Sequence, residues 1–543
     1  SFLDFVIQQS GLQAIPTYWT FQSKLVYDLS PKEKLSLNYL GGIDGINIVG
    51  EDSPQNRGAE NVDYASQQHT LGLTYKNLYS RKGYLLASIG QNYVTINIDA
   101  FRVTDEESHD TFYEGITVEQ ETILKADMVH KFNKKIEGSL GLKLKIAPNT
   151  WDLMSFSDEL ILYGYAADSL SPALPVSRDV FYSQFFGDTT AVIMPFDTIA
   201  TYSGTDTTYK QIYNSFGVYG QVKYNPTARL ELTAGVRLEY NAYIEKSNLS
   251  PRLNINYQFT HNLKANIAAG RYFQAPFNAM LIFGGEDTKA LDFYHADQIA
   301  LGMEYLPFED TRITLEYYQK EFKDMPMEEI LVDRNGADSL GDFRNIGAGR
   351  SEGIEFFIQK KFSKNWYSTF SYSHSVSEGI DPRKSETIYY PWDYDYRDVV
   401  SLVGGYKIRY MDYDWYNRYK ETLFASVTSW LPMAPADEFE ISFRLRYAGG
   451  KPYTPKTYNH NYRKWYTNSS DDWNTKRMGE YYRFDIMLLQ RFYFEKLNLV
   501  AFWDIMNVFN RDNPWDYVYN EDGTKDIALQ FKTFPIGGIT LEF

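Results

Sequence analysis

The sequence predicts an all-β chain, an antiparallel transmembrane barrel, and three observations carry that prediction. The first is alternation. In "RLELTAGVRLEY", residues 229–240, Leu230, Leu232, Ala234, Val236, Leu238 and Tyr240 take the even positions, while Arg229, Glu231, Thr233, Gly235, Arg237 and Glu239 take the odd ones. Neighbours in a strand point to opposite faces, so this strand has one apolar face and one polar face. The second is repetition: about nineteen such segments of roughly ten to fifteen residues recur, the length expected of tilted membrane-spanning strands. The third is the connections, which alternate between short turns and long loops, as they do at the two rims of an outer-membrane barrel.

Composition narrows the class further. Aromatic residues make up 17% of the 543 residues, with 46 Tyr, yet 23% are charged, which suits an amphipathic wall rather than a uniformly apolar chain. There is no cysteine, which excludes a disulfide framework, a thiolate zinc site and a cysteine nucleophile. The net charge of −16 and the lack of a long basic run argue against a nucleic-acid partner. No uncharged apolar run reaches the length of about 18 residues that a transmembrane helix needs. The start, "SFLDFVIQQSGLQ", lacks a basic region and carries Asp4 within its short apolar run, so it does not read as a signal peptide. An exported chain needs such a signal upstream, and the sequence reads as part of a mature protein.

Along the chain, "SFLDFVIQQ" alternates at Leu3, Phe5 and Ile7 and reads as the end of one strand; "YWTFQSKLVYDL" reads as the next. In "KIEGSLGLKLKIA", Ile136, Leu140, Leu142, Leu144 and Ile146 share a face opposite Glu137, Ser139, Lys143 and Lys145. "PRLNINYQF" sets Leu253, Ile255, Tyr257 and Phe259 against Arg252, Asn254, Asn256 and Gln258, and "TRITLEYYQKEF", "EGIEFFIQKKF", "FEISFRLRYAG" and "LNLVAFWDIMNVF" behave alike. The short connections "SRKG", "NKK", "YNPTA", "FTHN", "PFEDT", "SKN" and "FEKL" hold the Asn, Pro, Gly, Asp and Lys of tight turns. The longest connection expected is 147–211. A soluble sheet must cover its apolar face with another layer, and only one amphipathic helix is predicted here. The apolar face is therefore expected to meet lipid and the polar face a wet interior.

That helix falls where a short turn belongs, in the insertion 409–435: Tyr416, Tyr419, Leu423, Val427 and Trp430 recur at helical spacing before Pro432. A decorated turn on the periplasmic side and a docking site for a partner both fit it. Counting sides from the C-terminus requires an upward strand before the first complete one. The sheet is then expected to need more residues, or another chain, to close its edges.

Taken in order, "LSPRLNINYQF", "IAAGRYFQAPF", "ADQIALGMEYL", "NIGAGRSEGIEFFIQKKF", "YRFDIMLLQRFYF" and "FWDIMNVFNRDN" resemble the barrel of TonB-dependent receptors, especially those of the Bacteroidota. The terminal "ITLEF" resembles the last strand of outer-membrane proteins, whose final aromatic residue, here Phe543, acts as an assembly signal. The resemblance implies a bacterial outer-membrane barrel of about 22 strands, of which about 20 would lie in 1–543 as a single domain. It also implies a plug inside the barrel, active import driven through the plug by the TonB complex, and no enzymatic activity or cofactor. A surface lipoprotein is a possible further subunit. No plug is recognisable in this sequence; a plug upstream, a plug on a separate chain and a barrel working without one all accommodate that. A passive pore and a barrel anchoring a surface or periplasmic complex are the alternatives to active transport.

For substrate binding, the aromatic stretches "IYYPWDYDYRD" and "KPYTPKTYNHNYRKWYTNSSDDWN" supply Tyr389, Tyr390, Trp392, Tyr394 and Tyr396, and Tyr453, Tyr458, Trp465, Tyr466 and Trp473. Both are expected on the long-loop rim, where rings stack on a ligand; an interfacial aromatic girdle would need the same residues. Asp393, Asp395 and Asp398 are candidate Ca²⁺ ligands, against the plainer reading of solvated carboxylates. Glu231, Arg237, Glu239, Arg271, Glu352, Glu355, Arg444 and Arg446 are expected to face the lumen or plug. His374 lies among serines, but no orienting third group or nucleophile elbow accompanies it, so no catalytic residue is assigned.

Overall fold

The computed structural model describes residues 17–48, 61–103, 109–155, 160–165, 196–202, 205–283, 288–332, 338–380, 388–428, 431, 434–459, 464–467, 473–520 and 523–543. The strand end expected at 1–9 lies outside them. One antiparallel sheet holds 22 strand segments. Ile136–Ile146 continues into Pro148–Ser155, Thr205–Ile212 into Ser215–Tyr224, and Tyr389–Pro391 extends the stave of Asp398–Ile408 on a shared neighbour. Removing those three continuations from 22 leaves nineteen staves, as the alternation predicted. They form a meander from Thr17–Ser30 to Phe534–Glu542, each inner stave paired with the one before and after it in sequence and the two end staves paired on one side among the described residues.

Register aligns the apolar positions across the wall. Leu232 stands opposite Ile255, Ile255 opposite Ile267, Ile267 opposite Leu301, Leu301 opposite Tyr317 and Tyr317 opposite Ile354. These side chains are uncovered: Leu238 is 44% exposed, Leu301 42% and Ile354 48%, whereas Gly302 and Thr314 on the opposite face are buried. Apart from the insertion between Ile408 and Glu438, no layer of described residues lies over the apolar face. The short turns close by local chemistry. Lys364 and Asn365 both take positive φ, as a two-residue hairpin turn requires. Asn133 Oδ1 accepts the backbone N–H groups of Lys135 and Ile136.

Two expectations need correction. Several strands are longer than ten to fifteen residues: His109–Lys131 has 23 and Asp338–Ser363 has 26. Residues 242–245 also make a four-residue connection on the rim where long loops were expected. Backbone pairing remains favourable after apolar alternation ends, so part of the long-loop rim is extended hairpin. The insertion, too, is not one helix. Asp414–Lys420 and Leu423–Thr428 are separate because Thr422 Oγ1 donates to the Tyr419 carbonyl and accepts from Ala425 N–H, capping the second helix where the first stops. Tyr416 is 1% exposed while Leu423 is 86% exposed, so these residues do not share a buried face; Trp430 and Pro432 lie outside the described residues.

Val236, 44% exposed on the apolar face, and Gln221, on the polar face, give a direct comparison. Val236→Arg is expected to destabilise the barrel in lipid vesicles by about 2–4 kcal/mol, whereas Gln221→Arg should change stability by about 0.5 kcal/mol. Urea unfolding of both variants measures the difference; equal stability would mean that the apolar face is not in hydrocarbon.

Candidate functional site

Strand parity sorts the charged candidates. Glu231, Arg237, Glu239, Glu355, Arg444 and Arg446 occupy the face opposite the exposed aliphatic residues. Several of them pair with neighbouring side chains. Lys223 and Asn256 hold Glu231, and Arg237 pairs with Glu239 at 3.2 Å. Arg444 reaches Asp485 at 2.9 Å and Asp504 at 3.2 Å. Arg271 and Glu352 do not face the lumen. Arg271 shares the parity of exposed Ile267 and pairs with Asp297, next to exposed Ile299, through bonds of 2.6 and 2.8 Å. Glu352 shares the parity of exposed Ile354. Arg271 lies near the long-loop end of its strand, and Glu352 lies near the middle of its 26-residue strand, in step with outward Arg350.

The stretch 388–398 folds back on the strand Trp366–Ile380, with rings on both faces. Tyr390 is buried opposite Gly379, while Tyr389 lies outward beneath the Arg350 guanidinium at 4.2 Å. Trp392 lies flat against Gly349 and Gly379, where any β-carbon would collide with its ring, and meets Phe322 edge-on at 5.3 Å. It is a wall residue. Tyr394 is 76% exposed and touches Tyr396 at 6.4 Å. The three aspartates do not converge on one point. Asp393 accepts from Asn474 at 2.7 Å; Asp395, fully buried, takes Arg477 at 2.6 Å and Arg397 at 2.9 Å; Asp398 takes Tyr372 at 2.8 Å and His374 at 2.9 Å. Their charge is met by cationic and hydrogen-bonding side chains, which removes the basis for the Ca²⁺ reading.

The second aromatic stretch forms a different kind of site. Tyr453, Tyr458 and Trp465 meet Tyr517 and Tyr519 from the hairpin Pro514–Tyr519/Lys525–Leu529. Tyr453 lies 4.7 Å from Tyr517, Trp465 4.8 Å from Tyr519 and 5.3 Å from Tyr458. The Trp465 indole N–H donates to the Asn520 carbonyl at 2.8 Å, locking one hairpin to the other. Lys525, opposite Tyr519 in register, places its ammonium 3.4 Å from the Tyr517 ring centre and 4.9 Å from that of Tyr453. Lys456 lies 5.0 Å from the Tyr519 ring. Among the described residues no carboxylate pairs with Lys456 or Lys525. Partial desolvation among the rings pulls the Lys525 pKa below that of an ordinary lysine and pushes those of Tyr453 and Tyr519 upward. The geometry offers stacking faces, hydroxyl groups and two lysine ammonium groups.

Tyr517, Tyr519, Lys525 and Lys456 were not among the sequence candidates. Their signal was available: two tyrosines at i and i+2 share a strand face. Tyr466 and Trp473, 43% and 51% exposed, stand outside the close ring contacts. Phe543 is 96% exposed after the last strand. The "FWDIMNVFNRDN" motif is a fastening. Asn507 and Asn510 adopt positive φ, Asn507 bonds the Arg511 and Phe531 carbonyls, and buried Asn513 accepts Tyr482 N–H.

Residues 12–515 match the family model described as TonB dependent receptor-like, beta-barrel. Among solved structures, the outer-membrane transporter YddB of Escherichia coli superposes with a TM-score of 0.65 at 10% identity, covering 97% of this chain and 69% of that one. The ferripyoverdine receptor of Pseudomonas aeruginosa bound to ferripyoverdine gives 0.62 at 12% identity, covering 98% and 65%. BauA, the ferric preacinetobactin receptor of Acinetobacter baumannii, gives 0.60 at 11%, covering 98% and 73%. The chain thus spans between 65% and 73% of the length of these proteins. No match was found among curated protein sequences. Family and neighbours alike are receptors and transporters, not enzymes. The nineteen-stave meander, its single uncovered face and a family match over most of its length place this chain in the TonB-dependent receptor family, as the barrel of a bacterial outer-membrane receptor.

Proposed function

We propose that this barrel belongs to an active importer whose long-loop rim captures an anionic, ring-bearing or hydroxyl-rich solute at the site of Tyr453, Trp465, Tyr517, Tyr519, Lys456 and Lys525. The observation that carries this reading is the pair of lysines set among rings, neither of them paired with a carboxylate among the described residues. Charge-assisted contacts to an anion contribute about 1.5–3 kcal/mol each, and the rings exclude water from one side of the ligand. Two of the neighbours named above are receptors for ferric chelates; a compact anionic chelate has the chemistry this site fits. The apolar face of the wall meets outer-membrane lipid. The charges around Glu231, Arg237, Glu239, Glu355, Arg444 and Arg446 face a plug, and the TonB complex acts through that plug to open the route. Phe543 serves barrel assembly.

Uptake of radiolabelled ferric citrate and ferric catecholate, as anionic probes, by cells expressing the full-length gene tests the reading. Import should require TonB and cease when the inner membrane is depolarised. Uptake independent of TonB, or steady conductance of the purified protein in a planar bilayer, would overturn it.

At the site itself, Lys456→Gln combined with Lys525→Gln should weaken binding of the transported anion at least tenfold, with Trp465→Ala lowering it further; isothermal titration reads both. Because partial desolvation among the rings lowers the Lys525 pKa, the charged form is lost earlier than for an ordinary lysine. Affinity should therefore fall as pH rises, sooner than an ordinary lysine would cause, and the Lys525→Gln variant should lose that part of the decline.

Asp395→Ala should remove the carboxylate that joins Arg397 to Arg477 and accepts Ser377 N–H, and so loosen the 391–396 segment. Hydrogen exchange of its backbone amides is expected to accelerate by at least tenfold while the barrel strands stay protected. Unchanged exchange would show that the ion pairs do not hold the loop.

A further inference from the structure

The insertion between Ile408 and Glu438 packs on the outward side of the wall, a position that neither the turn nor the docking expectation specified. In the strand Glu438–Ala448, exposed Ile441 and Phe443 set the outward parity. Phe439 continues that row, yet it is only 9% exposed, because Tyr410 of the insertion covers it at a ring distance of 6.4 Å. The same holds in the neighbouring strand Tyr481–Tyr493. Leu488 stands opposite Ile441 and Gln490 opposite Phe439, so Gln490 also points outward. It is 1% exposed and donates to the carbonyls of Leu431 and Ala434 at 2.9 and 2.7 Å. Asp437 fixes the rest, accepting Lys420 Nζ at 2.7 Å, the Tyr416 hydroxyl at 3.3 Å and Tyr493 N–H at 2.7 Å. Phe439 and Ile441 are two residues apart, a rise of about 7 Å along the strand. The insertion therefore begins directly below the band of uncovered aliphatic side chains.

The second helix, Leu423–Thr428, is two-sided. Ala425 is 6% exposed and the Thr428 hydroxyl meets that of Tyr419 at 2.9 Å, so this side is turned to the protein. Leu423, Phe424 and Val427 occupy the other side and are 86%, 68% and 66% exposed. Removing such apolar surface from water is favourable. Elsewhere in the insertion, Tyr413 is 52% and Trp415 45% exposed, residue types that collect at the membrane–water boundary. We infer that the insertion is an interfacial foot that seats Leu423, Phe424 and Val427 in the phospholipid of the periplasmic leaflet, continuing the lipid-facing surface of the wall. This inference rests on the reading that the wall's apolar face meets lipid. The occupant is lipid rather than a periplasmic protein because the foot lies against the outward face, contiguous with the aliphatic band. A docking element for a soluble partner has no need of that position.

These 543 residues contain no cysteine; any cysteine elsewhere in the full-length protein is replaced by serine, so that single cysteines report one site each. The experiment uses the full-length protein in nanodiscs of phosphatidylethanolamine and phosphatidylglycerol, with an environment-sensitive fluorophore on Phe424→Cys, Val427→Cys, Arg418→Cys or Leu142→Cys. Lipids carrying a nitroxide quencher near the headgroup should quench positions 424 and 427 at least threefold more than 418, and a membrane-impermeant maleimide should label 418 at least tenfold faster than 424. Leu142, in the middle of the wall, is the control for the lipid-facing reading itself. Quenching by deep-chain nitroxides at 142, with 424 and 427 no better quenched than 418, would overturn the foot alone. Absence of quenching at 142 would overturn the reading of the wall. Protection of 424 that requires an added periplasmic fraction would assign the surface to a protein partner and likewise overturn the inference.

Discussion

A sheet face with no polypeptide over it is the constraint on which the rest of this structure depends. In hydrocarbon an unpaired backbone N–H or C=O has no partner, so strands that cross a bilayer must be paired with neighbours. The seventeen inner staves meet that demand in the simplest connectivity, each bonded to the one before and after it, while Thr17–Ser30 and Phe534–Glu542 are each paired on one side among the described residues. With Leu238, Leu301 and Ile354 committed to the outside, polar chemistry is left to the inner face and the rims. The pairing of Lys223 with Glu231, Arg237 with Glu239 and Arg444 with Asp485 follows from that division.

A wall of this kind has little hydrophobic core to lend its loops. Among the described residues one buried apolar cluster joins Ala147, Tyr213, Ile244, Leu281, Leu291 and Phe293. Elsewhere the long-loop rim is fastened by polar side chains to backbone. Asn474 ties Pro391 and Asp393 to its own loop, Asp395 gathers two arginines, and Asn507 joins Arg511 to Phe531. Buried hydrogen-bonding groups of this sort specify one arrangement, because alternatives leave them unpaired. The ring-and-lysine site inherits that rigidity through the Trp465 indole bond to Asn520. A binding surface held in advance loses less conformational freedom when a ligand arrives.

The same logic explains where parity and function part company. Arg271 and Glu352 are charged and outward, Arg271 near the long-loop end of its strand and Glu352 near the middle of its own. Trp392 looks like a ligand-stacking residue in the sequence, but the missing side chains of Gly349 and Gly379 make it part of the wall. In the insertion, a run of apolar residues at helical spacing suggested one amphipathic helix. A threonine cap divided it, and the apolar residues of the second half were left outside.

The sequence by itself determined the number of staves, the two faces of each and the position of the short turns, because alternation and turn chemistry are local and repeat every few residues. Parity also made Arg271 legible as outward, since it falls in step with Leu263 and Ile267 in one strand. Only the tertiary structure decided which rim loops meet, that Asp393, Asp395 and Asp398 serve three different partners, and that Lys525 lies among tyrosines from separate loops. Those contacts join residues far apart in the chain through loops with no periodic signal, so they exist only once the wall has set the distances between its strand ends.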